Sequence, residues 1–374
     1  MQKSLTILGI RGVPAAHGGF ETFAEHLSLY LVAKGWQVTV YCQEKGRGDI
    51  YESDWCGVHR VHIPVMRGGA LGTIMFDWQA ARDARRRFLV KRTGVCLTLG
   101  YNTAIFNLWQ RLSGQVNLFN MDGLEWQRAK WSFLERTWLW LNERAGCWLG
   151  QHLIADHPCI KEYLSTRVKP EKITMIPYGA TAVEQANADM LTLFGIVANE
   201  YSVIIARPEP ENSILEMVRA YSAKPRNHIL VVLGKFDSHN TYHQHVLAAA
   251  STDVRFVGAI YDTVQVNALR FFCRYYLHGH TVGGTNPSLV EALSAGSAVI
   301  AHDNKFNRWV AGEGAAYFSN EDECGHLFDN LLKDDAAVGQ MRAASRFRFS
   351  QRFTQAQVLA EYEHLLTTWL PLAS

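Results

Sequence analysis

Two rhythms alternate along the chain. Lys3–Gly9 carries the short apolar run Leu5-Thr6-Ile7-Leu8 and reads as a strand. Beyond a glycine-containing loop, Phe20, Phe23, Ala24, Leu27 and Leu31 recur at helical spacing, and Gly35 closes that segment as a C-terminal cap. Gln37–Cys42 then returns to strand. Strand, glycine loop, helix and strand make a βαβ unit, which implies a parallel sheet covered by helices. The alternation continues with expected strands at Thr93–Leu99, Val116–Asn120 and His152–Ala155. A second series opens near Tyr201, with strands at Ser202–Ala206, Ile229–Gly234, Arg255–Val257, Phe272–Leu277 and Ala298–Ala301. Helices are expected over Ser213–Ser222 and near Tyr242–Ala250. Two such series in tandem predict an α/β protein of two Rossmann-like domains with a cleft between them. The expected division is an N-terminal domain over residues 1–185, a C-terminal domain over 186–350, and an end segment, 351–374, forming a helix that packs back on the first domain.

Length agrees, since 374 residues is two to three domain-lengths at about 150 residues each. Charged residues are 19% of the chain and apolar residues 48%, which excludes a disordered protein. The seven cysteines are scattered, odd in number and never spaced C-x-x-C, a pattern of free thiols in a reducing compartment. The start Met1-Gln2-Lys3 leads straight into the first strand without a signal-peptide core. The longest uncharged stretch, from Thr93 to Gln110, is interrupted by Gly94, Gly100, Asn102 and Asn107, so no membrane span is expected. A cytoplasmic location follows.

Two glycine loops carry the candidate chemistry. In the first, Gly12 and Gly18-Gly19 run from a strand into a helix, where backbone N–H groups and the helix dipole favour an anion. The spacing is neither a dinucleotide fingerprint nor a Walker loop, and a plain strand-to-helix turn would use the same glycines. The second loop, His278 to Gly296, is more informative. Asn286-Pro287 has the form of an N-cap and first helical residue, and Gly283-Gly284-Thr285 precede it as a second anion nest. Glu291 lies about one turn further on, placed to accept hydrogen bonds from a sugar hydroxyl. Its neighbours Leu289, Val290, Ala292 and Leu293 suggest a buried carboxylate, which needs a task or a partner.

This passage resembles the nucleotide-sugar loop of retaining glycosyltransferases of the GT-B fold, specifically family 4. The family pattern has two glutamates separated by seven residues. Glu291 matches the second, which the resemblance implies holds the donor ribose, and Gly283 stands where the first would touch the transferred sugar. The run Arg11-Gly12-Val13-Pro14…Gly18-Gly19-Phe20-Glu21-Thr22-Phe23 and the run Asp122-Gly123-Leu124-Glu125-Trp126…Lys130-Trp131 are similar to a polysaccharide-assembly subgroup that includes rhamnosyltransferases. The resemblance further implies an Arg and a Lys against the leaving diphosphate. Arg207 falls at the Arg position, but Asn212 or its neighbour occupies that of the Lys. Lys235, in the next loop, is either a replacement or a solvated loop lysine.

Transfer from a nucleoside diphosphate needs a held nucleotide, a neutralised leaving group and little water. Helix starts and Arg207 supply the charge without a metal. The chain has no Asp-x-Asp, and the pair His278-x-His280 lacks further ligands nearby, so no metal or other cofactor is expected. On the acceptor side, Asp122 or Glu125 follows a strand end and would orient the acceptor hydroxyl; alternatively Asp122-Gly123 simply makes a turn.

Charge is uneven. Residues 1–180 hold 22 Lys+Arg against 15 Asp+Glu, the remainder 15 against 20, and nine of the eleven tryptophans lie in the first 148 residues. Arg82, Arg85, Arg86, Arg87, Lys91 and Arg92 share one expected helix, and Trp131, Trp138, Trp140 and Trp148 follow. Such a surface suits an anionic membrane and a lipid-diphosphate-linked saccharide acceptor, or else an Arg face with Trp in the core. No nucleic-acid-binding pattern accompanies it. The leading expectation is a peripheral, metal-independent glycosyltransferase using a nucleotide-sugar donor, with dTDP-rhamnose the favoured one. A nucleotide-sugar 2-epimerase of the same fold, or a non-catalytic sugar-nucleotide-binding protein, are the alternatives.

Overall fold

The computed structural model describes residues 3–16, 18–128 and 130–371. His17, in the first glycine loop, lies outside the described residues, as do Met1, Gln2 and the last three positions of the expected end segment. The chain divides into two compact units. Unit 1 is Met1–Pro177 with Val358–Ser374, and unit 2 is Tyr178–Gln357.

In unit 1 the elements run β1 (Ser4–Leu8), α1 (Gly19–Ala33), β2 (Gln37–Lys45), β3 (Tyr51–Trp55), β4 (Val58–Val65), α2 (Gly69–Lys91), β5 (Val95–Leu99), α3 (Leu108–Ser113), β6 (Asn117–Asn120), α4 (Phe133–Leu149), β7 (His152–Ala155), α5 (Pro158–Ser165) and β8 (Ile173–Met175). They form one sheet in the order β3-β4-β2-β1-β5-β6-β7-β8. Every pair is parallel except β3 with β4. All residues of β5, β6 and β7 are buried, the mark of strands covered on both faces. The helix expected from Phe20 to Leu31 buries Phe23, Ala24, Leu27 and Leu31, and Gly35 sits just past its end at φ 80°. The β3–β4 hairpin was not expected. It turns at Cys56-Gly57, both at positive φ, and its partly exposed edge strand lacks the apolar alternation that announces a strand.

Unit 2 contains β9 (Tyr201–Ile205), α6 (Ile214–Ser222), β10 (Ile229–Leu233), α7 (Thr241–Ala248), β11 (Val254–Gly258), α8 (Thr263–Phe272), β12 (Tyr276–His278), α9 (Pro287–Ser294), β13 (Val299–His302), α10 (Lys305–Ala311), β14 (Ala316–Phe318), α11 (Glu321–Leu331) and α12 (Asp335–Arg352). Its parallel sheet has the order β11-β10-β9-β12-β13-β14. Alternate residues feed two cores. Tyr201, Val203, Val231, Leu233, Tyr276 and Val299 pack on one face, and Ile204, Leu230, Val232, Leu277 and Ile300 on the other. The strand expected over Phe272–Leu277 is corrected. Asp262 caps α8 by accepting from Val264 N at 2.8 Å, the helix runs on to Phe272, and the strand begins at Tyr276.

The last helix, α13 (Gln355–Thr368), supplies its residues from Val358 onward to unit 1. Tyr362 is buried there and its hydroxyl accepts from Asn120 Nδ2 at 2.8 Å, while Glu363 accepts from the Tyr30 hydroxyl at 2.9 Å. Asn120 ends β6, and its Oδ1 in turn accepts from Asp122 N at 3.0 Å. Tyr362→Phe strands a buried amide donor, so unfolding in urea should show a loss of about 1–3 kcal/mol. Unchanged stability would show that Asn120 does not depend on the helix.

Candidate functional site

Both sheets reverse their winding once. In unit 2 the chain moves outward from β9 through β10 and β11, then crosses back to place β12 against β9. Loops leaving the C-terminal ends of β9 and β12 therefore diverge, and in doubly wound sheets that divergence is where ligands sit.

The sequence-selected residues of unit 2 gather at this edge. Arg207 follows β9 by two residues and is exposed. Its carbonyl accepts from Glu209 N at 2.7 Å and from Asn212 Nδ2 at 2.8 Å. Asn212, at or beside the position of the expected Lys, is buried, and its Oδ1 bonds His280 Nδ1 at 2.8 Å. This amide ties the loop after β9 to the loop after β12. Gly279 permits the approach, because a Cβ there would lie 2.1 Å from the Asn212 carbonyl oxygen. The His280 carbonyl accepts from Asn304 Nδ2 at 3.0 Å and Asn307 Nδ2 at 2.8 Å. His278 is buried and held neutral by that burial.

Lys235 follows β10 by two residues and is likewise exposed. Ile205 and Leu233 are register partners, and Arg207 and Lys235 each follow two residues later in the loops that leave these neighbouring strands. Neither is held in an ion pair among the described residues. Asn286 caps α9 by accepting from Ser288 N at 2.9 Å, with Pro287 as first helical residue. Thr285 is buried and Gly284 has φ 110°. A Cβ on Gly283 would come within 2.5 Å of the Phe306 ring, so a glutamate there meets that aromatic.

Glu291 differs from the expected buried carboxylate. Its four apolar neighbours are fully buried, but its own side chain is 43% exposed on the opposite face of α9. It has a partner the sequence reading missed, the buried guanidinium of Arg270 on α8, which bonds Oε2. Arg270 was visible as a lone cation in the apolar run Ala268-Leu269-Arg270-Phe271-Phe272.

In unit 1, Asp122 has φ 53° and its carboxyl is pushed up by burial and then by Glu125. Glu125 is committed elsewhere. Arg128 Nε at 2.9 Å, Lys130 Nζ at 3.4 Å and the Trp131 indole at 3.1 Å hold its carboxylate, while its N–H donates to the Tyr101 hydroxyl at 2.8 Å. Asp122, unlike Glu125, is held in no ion pair among the described residues. The first glycine loop also differs from a simple anion nest. Ala15 N donates to Glu25 at 2.5 Å and Ala16 N to Glu21 at 3.3 Å, so two carboxylates already occupy it; Gly18 and Gly19 are exposed beside them. Asp77 on α2 went unnoticed, having no motif around it. It accepts from the Thr103 hydroxyl at 2.7 Å and faces Arg11, and burial pushes its carboxyl up to about 7.

A family model described as Domain of unknown function (DUF1972) matches residues 2–181. Among curated proteins none matches. Solved structures match nearly end to end. A sucrose-phosphate synthase from Thermosynechococcus elongatus has TM-score 0.80 at 16% identity, covering 98% of this chain and 99% of that one. Anabaena HepE in complex with UDP and glucose has TM-score 0.76 at 13% identity, covering 98% and 100%. A Burkholderia xenovorans trehalose-phosphate synthase in complex with glucose-6-phosphate has TM-score 0.72 at 12%, with the same coverages. The chain has the GT-B glycosyltransferase fold. Within the GT-B architecture, Arg207, Lys235, Gly283 to Asn286 and Glu291 belong to the second Rossmann-like unit, and Gly18, Gly19, Asp122 and Glu125 to the first.

Asp77 gives a test of the electrostatics of unit 1. Its raised pKa means the native state holds a proton the unfolded chain has released between about pH 4 and 7, so its contribution to stability falls as pH rises through that window. Asp77→Asn removes the titration. Relative to the parent, the variant should gain about 1–3 kcal/mol of unfolding free energy on going from pH 4.5 to 7. A pH-independent difference would show a carboxyl with an ordinary pKa.

Proposed function

We propose that the chain is a retaining, metal-independent glycosyltransferase of hexosyltransferase type, moving a sugar from a nucleoside diphosphate to a lipid-diphosphate-linked saccharide in bacterial surface polysaccharide synthesis. The observation that carries this reading is the set of groups at the reversal of the second sheet: two exposed cations in the loops after neighbouring strands, a capped helix start and an oriented carboxylate. Arg270 holds Glu291 Oε2, and Oε1 accepts from a ribose hydroxyl. Arg207, Lys235 and the backbone at Gly284-Thr285 draw charge from the diphosphate as it leaves. The bond between the anomeric carbon and the β-phosphate oxygen breaks while the acceptor oxygen bonds the same face, and the acceptor proton passes to the departing phosphate oxygen. Asp122 orients that acceptor hydroxyl. The HepE structure with UDP-glucose supports a nucleotide-sugar donor. Phe306 against Gly283 supports a donor with an apolar edge, and the deoxyhexose of dTDP-rhamnose is the one we favour.

Peripheral membrane attachment is part of the proposal. Among the described residues no helix is long and apolar enough to cross a membrane. Instead α4 exposes Leu134, Trp138, Leu141 and Trp148 along one stripe, with Phe133 at its start 81% exposed. Arg144 stacks over Trp140 at 3.3 Å, and Arg136 is exposed nearby. The basic run of α2 contributes less than its sequence suggests. Arg87 is paired with Asp83 at 2.5 Å and Glu52 at 2.6 Å, and Arg85 turns over Trp109, leaving Arg82, Arg86, Lys91 and Arg92 exposed.

Arg207→Ala should lower kcat by about 10–100-fold while changing donor affinity less, because the leaving charge grows towards the transition state. Glu291→Gln should weaken donor affinity by about 1.5–3 kcal/mol. A thermal melt must accompany it, since the same change removes the charge partner of Arg270. Turnover should persist in EDTA and be fastest with dTDP-rhamnose among dTDP-, UDP- and GDP-sugars. Full activity of a folded Arg207→Ala variant, or no transfer from any donor, would overturn the reading.

For the surface, Leu134→Glu with Trp138→Glu should abolish co-sedimentation with phosphatidylglycerol vesicles. Parent binding should weaken several-fold between about 0.05 and 0.5 M salt as exposed charges are screened. Salt-independent binding, or none, would remove the membrane from the proposal.

A further inference from the structure

Unit 1 contains a cavity of about 340 Å³ at the C-terminal ends of β1, β2 and β4, and Asp122 is not among the residues that line it. Four cations line it: Arg11 after β1, Lys45 ending β2, Arg60 within β4 and Arg67 after it. Only two carboxylates share the wall, and both have protein partners. Glu44 bonds His62 Nδ1 at 2.8 Å, and Glu21 accepts from Ala16 N at 3.3 Å. His62 is itself occupied, its Nε2 bonding Ser53 at 2.7 Å. The wall is left with a cationic excess.

Two further observations point the same way. Arg60 donates one bond, from Nη1 to the Val13 carbonyl at 3.3 Å, while its Nε is buried with no acceptor among the described residues. A buried donor without a partner costs about 1–3 kcal/mol unless something supplies the acceptor. The floor of the cavity is the start of α2, a 23-residue helix. Gly68 at its N-cap offers no side chain, and its first turn holds no acidic residue, so its dipole and leading N–H groups meet no carboxylate from their own helix. Contrast α1, whose first turn carries Glu21.

We propose that this cavity is a phosphate site that holds a phosphate or diphosphate carried by the acceptor. Arg60 and Arg67 grip the oxygens, Lys45 and Arg11 balance the remaining charge, and the α2 N–H groups complete the cradle. The proposal rests on the transferase reading for the word acceptor, but the site can be tested without turnover. A phosphate on a soluble sugar and the diphosphate of a polyprenyl lipid present the same chemistry to these side chains.

The test is calorimetric binding in the Arg207→Ala background, which weakens competition from the proposed donor site. Inorganic pyrophosphate should bind the full-length protein, and adding Arg67→Ala should lower its affinity at least tenfold. Arg60→Gln should do the same, and exposed Arg67 keeps the test open if the Arg60 variant fails to fold. Two arms separate the sources. Phosphatidylcholine vesicles carrying polyprenyl diphosphate, compared with phosphatidylglycerol vesicles of equal charge, report a lipid diphosphate; glucose 6-phosphate reports a soluble one. Preference in either arm that is lost in Arg67→Ala supports the site. Pyrophosphate affinity unchanged by both folded variants, or no pyrophosphate binding at all, overturns it. Loss of donor transfer with pyrophosphate binding intact would instead count against the transferase reading alone.

Discussion

The constraint from which the rest follows is a parallel sheet with both faces covered. Parallel strands need crossover connections, and right-handed crossovers place helices on one face or the other according to the direction of winding. To cover both faces, the winding must reverse once. Unit 1 does so between β1 and β5, and unit 2 between β9 and β12. Apolar side chains then take both faces of each sheet, as the two cores of unit 2 show. Polar chemistry is excluded from the interior and collects at the strand ends. Arg207, Lys235, Gly283 and Glu291 are at the edge of one sheet, and Arg11, Thr103 and Asp122 at that of the other, because there the backbone emerges from its hydrophobic cover.

Loops at such an edge must be fixed before their charges can act in a defined direction. In unit 2 the fixing is done by neutral amides. Asn212, Asn304 and Asn307 bond backbone carbonyls, and Asn212 adds the His280 ring. In unit 1 the Tyr101 hydroxyl donates to the Gly123 carbonyl at 3.2 Å and accepts from Glu125 N, while Asn120 links the Asp122 backbone to Tyr362. Each such bond contributes only about 1 kcal/mol, but leaving one of these buried groups unpaired costs more, so the networks specify conformation more than they add stability. The ionised groups mostly stay outside them. Glu125 is the exception, its carboxylate held by Arg128, Lys130 and Trp131.

Many of the strands were legible because buried ones such as Val95–Leu99 and His152–Ala155 are short, largely apolar runs with few other readings. The Asn286-Pro287 helix start was legible for a similar reason, since few other conformations suit that dipeptide. What escaped were features set by partners distant in sequence. The exposed strand Tyr51–Trp55 exists because Val58–Val65 pairs with it and Tyr51 stacks on His62 at 4.4 Å. Phe272 belongs to a helix because Asp262 caps it ten residues earlier. Glu291 looked buried because its sequence neighbours are apolar, yet on a helix those neighbours face the core while Glu291 faces away. Nothing local to Glu291 or Asp77 points to Arg270 or Thr103.

The two departures from the family 4 pattern have different physical consequences. Gly283 is a steric matter, since Phe306 fills the space that a longer side chain would need. Asn212 is an electrostatic one, because an amide that ties two loops replaces a cation. On the proposed donor reading, the lost charge has to come from elsewhere. Lys235, exposed in the loop after the neighbouring strand β10, is the cation proposed to supply it. At an effective dielectric near 20, a unit charge at about 4 Å is worth about 4 kcal/mol, and roughly half that at twice the distance. On that reading Lys235 restores the charge while Asn212 keeps the loops joined, and a lysine at position 212 would surrender that joint.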